Sequence, residues 1–117
     1  MSLIFKNKID EILYKIKSND LNSAKKLSLK LIKKNKKDFQ LQNIYATILY
    51  NLKEFNQAIE IYKLALNLNP NFYQAQYNLA KLYCDLKNYE KANVELQKCL
   101  NLKSNSIEVL LLLGNLN

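Results

Sequence analysis

Displaced by thirty-four residues, the chain falls on itself, and a period of that length dictates an architecture before any single residue does. Tyr45-Ala46 lands on Leu79-Ala80 and then on Leu113-Gly114, and Leu52-Lys53, Phe55, Ala58, Ala65 and Leu66-Asn67-Leu68 land on Leu86-Lys87, Tyr89, Ala92, Cys99 and Leu100-Asn101-Leu102. Stepping backward, Phe55 and Ala58 fall on Leu21 and Ala24. Repeated units of this size cannot bury their apolar faces singly, so neighbours stack and share a core, and about three are needed for stability. The 117 residues divide into units at 5–38, 39–72 and 73–106, with a partial fourth at 107–117, all expected to form a single domain over 1–117.

Spacing assigns each unit two helices. Leu41, Ile44, Tyr45, Ile48, Leu49 and Leu52 recur every three or four residues, as do Phe55, Ala58, Ile59, Tyr62, Ala65 and Leu66, so 39–52 and 55–68 are predicted amphipathic helices. Only a tight turn fits between them at Asn51 to Glu54, which makes the pair antiparallel. Pro70 ends the second helix because proline lacks the amide donor and pushes Asn69 out of helical geometry. In the next unit Ser104-Asn105-Ser106 supplies a softer stop. Ala46, Ala80 and Gly114 are expected where one helix crosses its partner, faced by Ala58 and Ala92, since only small side chains let helix axes close to about 8–10 Å. A bulky residue at Ala58 or Ala92 would overpack the unit, at a cost of roughly 1–3 kcal/mol.

These residues resemble the tetratricopeptide repeat family: Tyr45, Ala46, Leu49, Phe55, Ala58, Tyr62, Ala65 and Pro70 in the middle unit, and Leu79, Ala80, Tyr83, Tyr89, Ala92, Leu96 and Cys99 in the next. Leu110, Leu113 and Gly114 fit the family's opening helix once more. Departures gather in the first unit, where Ile12 takes the small-residue place, Ser28 the usual aromatic place and Leu31 the usual alanine place, so its first helix is expected to pack differently. The resemblance implies an all-α fold, a right-handed superhelix of antiparallel helix pairs, with three repeats plus the first helix of a fourth. It also implies a concave groove, lined by the first helices, that binds a protein or peptide partner.

In the family's register, the first helices turn Gln40, Asn43, Ile44, Thr47, Tyr50 and Asn51, then Gln74, Tyr77, Asn78, Lys81 and Asp85, toward that groove. Amide side chains offer a donor and an acceptor together, which suits an extended peptide backbone at a net of roughly 0.5–1.5 kcal/mol per bond. Tyr50 and Tyr77 would add flat, half-apolar contact. One use of the family's groove is disfavoured. Members that capture a chaperone tail hold its terminal carboxylate with lysine, asparagine and arginine, and the matching places hold Ile9, Leu13, Ile44, Gln74 and Asn78, none of them cationic. One repeat further on they hold Asn43, Thr47, Asn78, Glu108 and Leu112, where only Asn78 matches and Glu108 would repel a carboxylate.

With about half its residues apolar, the chain can bury a sizeable core, and a single glycine and a single proline leave no room for a linker. The first residues, Met1 to Lys6, lack the pattern of a signal peptide, and no apolar run approaches a membrane span, which makes a cytoplasmic location the default. Cys99 takes a packing position and Cys84 the end of a helix, so neither a disulfide framework nor a metal site is expected. With no histidine, no Gly-rich phosphate loop and no recognisable nucleophile setting, no catalytic activity and no cofactor is expected.

The net charge of +8 is unevenly placed: residues 1–38 hold eleven lysines against four acids, whereas 39–72 balance at two and two and 73–117 at five and four. Lys26, Lys30, Lys33, Lys34 and Lys37 follow helical spacing as a stripe on the first unit's second helix, either a solvated face or an electrostatic docking surface for an acidic partner. Nucleic acid is the weaker candidate because, without arginine, bidentate contacts to phosphate and guanine are lost. At the other end Ile107, Val109, Leu110, Leu111, Leu112, Leu113 and Leu116 make a helix apolar nearly all round, where a stacked array should end on a polar face. Two expectations follow. Either the chain is the recognition or self-assembly arm of a longer multidomain protein, or a homodimer forms through the C-terminal helix, with Leu111, Leu112 and Leu116 as its surface.

Overall fold

The computed structural model describes residues Ser2 to Leu116, with side chains through Asn115. Its described residues form seven helices: α1 Leu3–Lys17, α2 Leu21–Lys34, α3 Phe39–Asn51, α4 Phe55–Leu68, α5 Tyr73–Asp85, α6 Tyr89–Leu102 and α7 Ile107–Leu116. The fold is all-α. Each helix packs on the next in the chain, and α3 also reaches α5, which gives a superhelical stack of 44 × 26 × 21 Å rather than a closed bundle.

The turns inside the pairs repeat as faithfully as the helices. Asn19, Lys53 and Lys87 all take left-handed backbone geometry, at φ 62°, 64° and 60°. There the amides of Asp20, Glu54 and Asn88 reach back to the carbonyls of Lys15, Leu49 and Tyr83 at 2.8, 2.9 and 2.9 Å, closing each first helix with the same capping bond. None of the three is glycine, so the apolar pattern marked the turn but not its conformation. The N-caps of the second helices recur at the same period. Asp20 accepts from the Ser23 amide and Asn88 from the Lys91 amide, both at 3.4 Å. Glu54 caps nothing with its side chain and instead takes the Lys25 ammonium at 3.0 Å, tying α2 to the start of α4. As its proline requires, α4 stops at Leu68, and Asn69 is extended at φ −144°, ψ 94°.

Three apolar clusters run in series. Ile12, Ala24, Leu31, Leu41 and Ile48 join α1, α2 and α3; Tyr45, Ala46, Leu49, Ala58, Tyr62, Ala65, Ala75, Leu79, Leu82, Tyr83 and Ala92 join α3 to α6; Ala80, Leu96, Cys99 and Val109 join α5, α6 and α7. Ala46, Ala58, Ala80 and Ala92 are wholly buried, as close helix crossings demand. Gly114 is different. Among the described residues, a Cβ added there would meet nothing within 4 Å, so no close approach is formed at this position.

Candidate functional site

Helices α3 and α5 each present a polar row, and the two rows touch. The Asn78 Nδ2 donates to Asn43 Oδ1 at 3.2 Å, and the Gln74 Nε2 points to Asn78 Oδ1 at 3.5 Å. The bond fixes which way both asparagine amides face. Asn43 is only 8% exposed, so it braces Asn78 from below rather than offering a free amide. Gln40, Gln74 and Lys81 are exposed around the pair and Asn78 is half-buried.

The hydroxyl groups of the predicted row are already committed. Thr47 Oγ1 lies 2.9 Å from the Asn43 carbonyl and 2.9 Å from the Tyr62 hydroxyl; with its one proton given to the carbonyl, Thr47 accepts from Tyr62. Burial pushes the Tyr62 phenol from 10.0 up to about 12. Tyr50 donates to Asp85, and its ring meets Phe55 edge-on at 6.1 Å. Desolvation holds the Asp85 carboxyl above its ordinary range. Tyr77 is not a free platform: it stacks on Tyr73 at 6.2 Å and packs against the cluster around Ala80 and Leu96.

Tyr73 organises the far end of this surface, and no motif pointed to it. Its hydroxyl donates to Glu108 at 2.9 Å and also meets Ser106, while the Lys103 ammonium sits 4.8 Å over its ring. Glu108 opens α7, where its own backbone amide and then the Tyr73 hydroxyl hold its carboxyl below the usual range. The only trace of this in the sequence was spacing, since Tyr73 and Glu108 stand 35 residues apart, like Asn43 and Asn78.

Lys26, Lys30, Lys33 and Lys34 are exposed on α2, whereas Lys37 lies beyond the helix in the turn before α3, because α2 ends at Lys34. The Lys36 carbonyl in that turn accepts from the buried Gln42 amide at 3.1 Å. Lys30 and Lys34, with Lys8, rim a cleft of about 270 Å³ over Ile12, Leu27 and Leu31. On α7, Leu111 is exposed as expected for an assembly surface. Leu112 is not: it turns inward with Leu113 against Ala80, Leu96, Cys99 and Val109, because the face of α7 that meets the stack includes that position. The Leu116 side chain lies outside the described residues. Among the described residues no cluster of three or more His, Cys, Asp or Glu could hold a metal ion, and no helix is long and apolar enough to cross a membrane.

Helix pairs, the repeated left-handed turn and the buried small residues at the crossings all recur at one period, and residues 49–116 match the model of the tetratricopeptide repeat. The chain belongs to the tetratricopeptide repeat family. It is 40% identical over 43 residues to the Hsp70-Hsp90 organising protein of Plasmodium falciparum, an overlap of 37% of this chain and 8% of that protein. Among solved structures it is similar to the first tetratricopeptide repeat domain of Spaghetti (RPAP3) bound to the HSP90 peptide SRMEEVD, at 20% identity, TM-score 0.89, covering 96% of this chain and 89% of that one. The TPR2B domain of yeast Sti1 in its pHsp70 complex is 22% identical, with TM-score 0.88 and coverage of 98% and 97%. Likeness at that identity shows the fold.

Proposed function

We propose that this tetratricopeptide repeat chain is a single-domain scaffold for protein interaction, taking an extended peptide segment of a partner along the surface of α3 and α5. The observation that carries the proposal is the Asn43–Asn78 bond, which presents the remaining polar atoms of Asn78 beside exposed Gln74, Gln40 and Lys81. A preoriented amide can meet the N–H and C=O of an extended chain together, without first losing side-chain freedom. Relatives whose structures carry an HSP90 peptide or pHsp70 lend the groove-and-peptide mode general support.

The segment bound here is internal rather than a free carboxyl end. Gln74 and Asn78 stand where a terminal carboxylate would need cations, and Glu108 adds negative charge at the α7 end of the surface. The test is selection of displayed peptides on the chain, followed by titration of the enriched sequences against Asn78→Ala combined with Gln74→Ala. Both residues lie outside the apolar clusters, so helicity should persist while affinity falls about tenfold or more. Equal affinity of the variant would remove this surface from the proposal, and tight binding of SRMEEVD through its terminal carboxylate would overturn the internal-segment reading.

A further inference from the structure

The polar row shared by α3 and α5 does not continue onto α1. One period before Asn43, Thr47 and Asn78 stand Ile9, Leu13 and Ile44, so the step that an amide bond spans between α3 and α5 falls to two isoleucines between α1 and α3. Ile9 and Ile44 are half-buried on the cluster of Ile12, Ala24, Leu31, Leu41 and Ile48, and Leu13, one turn beyond Ile9, is 45% exposed. That exposure belongs to the inner wall and not to the first repeat's place in the stack. Thr47 and Lys81 hold the same position in α3 and α5, each with a repeat before it, and they stay half-buried and exposed.

The charges around this apolar patch favour one kind of segment. Lys6 and Lys17 lie at the places that Gln40 and Asn51 hold on α3; both are exposed, and neither is in an ion pair among the described residues. Asp10 offsets one of them, but the first unit as a whole carries eleven lysines against four acids. At the other end of the same surface, Glu108 turns acidic groups away. We infer that the segment bound in the groove is acidic and carries a leucine-type side chain, which seats on Ile9, Leu13 and Ile44 with a neighbouring carboxylate toward Lys6 or Lys17. The inference rests on the peptide-binding reading of α3 and α5 and adds a direction to it: the acidic, aliphatic end lies over α1. It also adds a source of selectivity. The amides of Gln74 and Asn78 can meet the backbone of any sequence, whereas an apolar patch beside lysines distinguishes one side chain from another.

The experiment is selection of displayed random peptides on the full chain, run in parallel on Leu13→Gln and on Asn78→Ala combined with Gln74→Ala. Leu13→Gln leaves the charge unchanged and places a good helix former at an exposed position, so helicity should hold. Peptides enriched on the wild type should share leucine, isoleucine or methionine close to aspartate or glutamate, and those enriched on Leu13→Gln should lack the aliphatic preference. The most enriched wild-type peptide, resynthesised with that aliphatic residue changed to alanine, should bind the wild type about tenfold more weakly but bind Leu13→Gln as its parent does. An enriched set without the aliphatic and acidic pairing, or the same set on Leu13→Gln, overturns the inference, and loss of binding in the Asn78 and Gln74 variant would then leave the α3 and α5 reading intact. Binding lost in Leu13→Gln but unchanged in the Asn78 and Gln74 variant would keep the patch and remove the amides, and a library yielding no binders would overturn both.

Discussion

The first and second repeats solve the same packing problem with opposite distributions of volume. In the second, Ala46 and Ala65 leave space at the crossing and Tyr62 fills it, its hydroxyl satisfied by Thr47 at 2.9 Å. In the first, every one of those choices is reversed: Ile12 and Leu31 are large, Ser28 is small, and Leu13 stands where the hydroxyl partner would be. All three of the exchanged side chains are nevertheless buried. The difference teaches that large and small side chains can exchange places across a helix crossing while every exchanged position stays buried, which is how cores tolerate coordinated substitution. One fault remains in the first repeat: the Ser28 hydroxyl is buried and has no hydrogen-bond partner.

The sharpest way to break this comparison is to convert one solution into half of the other. Ile12→Ala alone opens a cavity beneath α2 and should destabilise the chain by about 2–5 kcal/mol, read from denaturant midpoints. Ser28→Tyr alone should cost about 1–3 kcal/mol by overpacking. Together they rebuild the arrangement of the second repeat, so the double variant should be more stable than the sum of the singles predicts, with a coupling of about 0.5–3 kcal/mol. Strict additivity would mean that the two positions do not share one volume.

Alkaline titration probes the other member of the pair. Tyr62 keeps its proton up to about 12 when folded but releases it near 10.0 when unfolded. The folded chain then binds more protons than the unfolded one between those values, so stability falls as pH rises through that window. Buried Cys99, raised from 9.0 to about 12 by burial, acts in the same direction. For Tyr62 the loss should be at most about 2–3 kcal/mol. Thermal melts should show Tyr62→Phe losing less stability than wild type as pH rises above 10.0, although it begins lower near neutrality by about 1 kcal/mol for the missing Thr47 bond. Identical pH profiles would take Tyr62 out of the alkaline response.

The smallest effect has the opposite sign. Ser28→Ala removes a buried hydroxyl that bonds to nothing, and should stabilise the first repeat by about 1 kcal/mol. A loss of stability in melts of this variant would indicate that the hydroxyl is engaged after all.

Much of this molecule is legible without coordinates. The period of thirty-four residues, the apolar spacing within it and Pro70 suffice to place helices α3 to α6 to within a residue, because helix periodicity and proline sterics act locally. What the sequence could not supply was commitment. Tyr50, Thr47 and Tyr77 have the composition of a binding surface, yet Asp85 and Tyr62 hold the first two from other helices, and Tyr77 stacks on Tyr73 one turn earlier in its own helix. Leu112 and Leu111 are adjacent and chemically identical, yet one packs inward and the other faces out.

The sequence by itself determined that helices pair and stack, since each unit's apolar stripe exceeds what one helix pair can cover. Only the tertiary structure decided which polar groups are spent on neighbours and which remain free, and that no close approach is formed at Gly114 among the described residues. The reason is distance along the chain: stripes and turns are set within a few residues, whereas the Asn43–Asn78 and Tyr73–Glu108 bonds join residues 35 apart and exist only once successive repeats have docked.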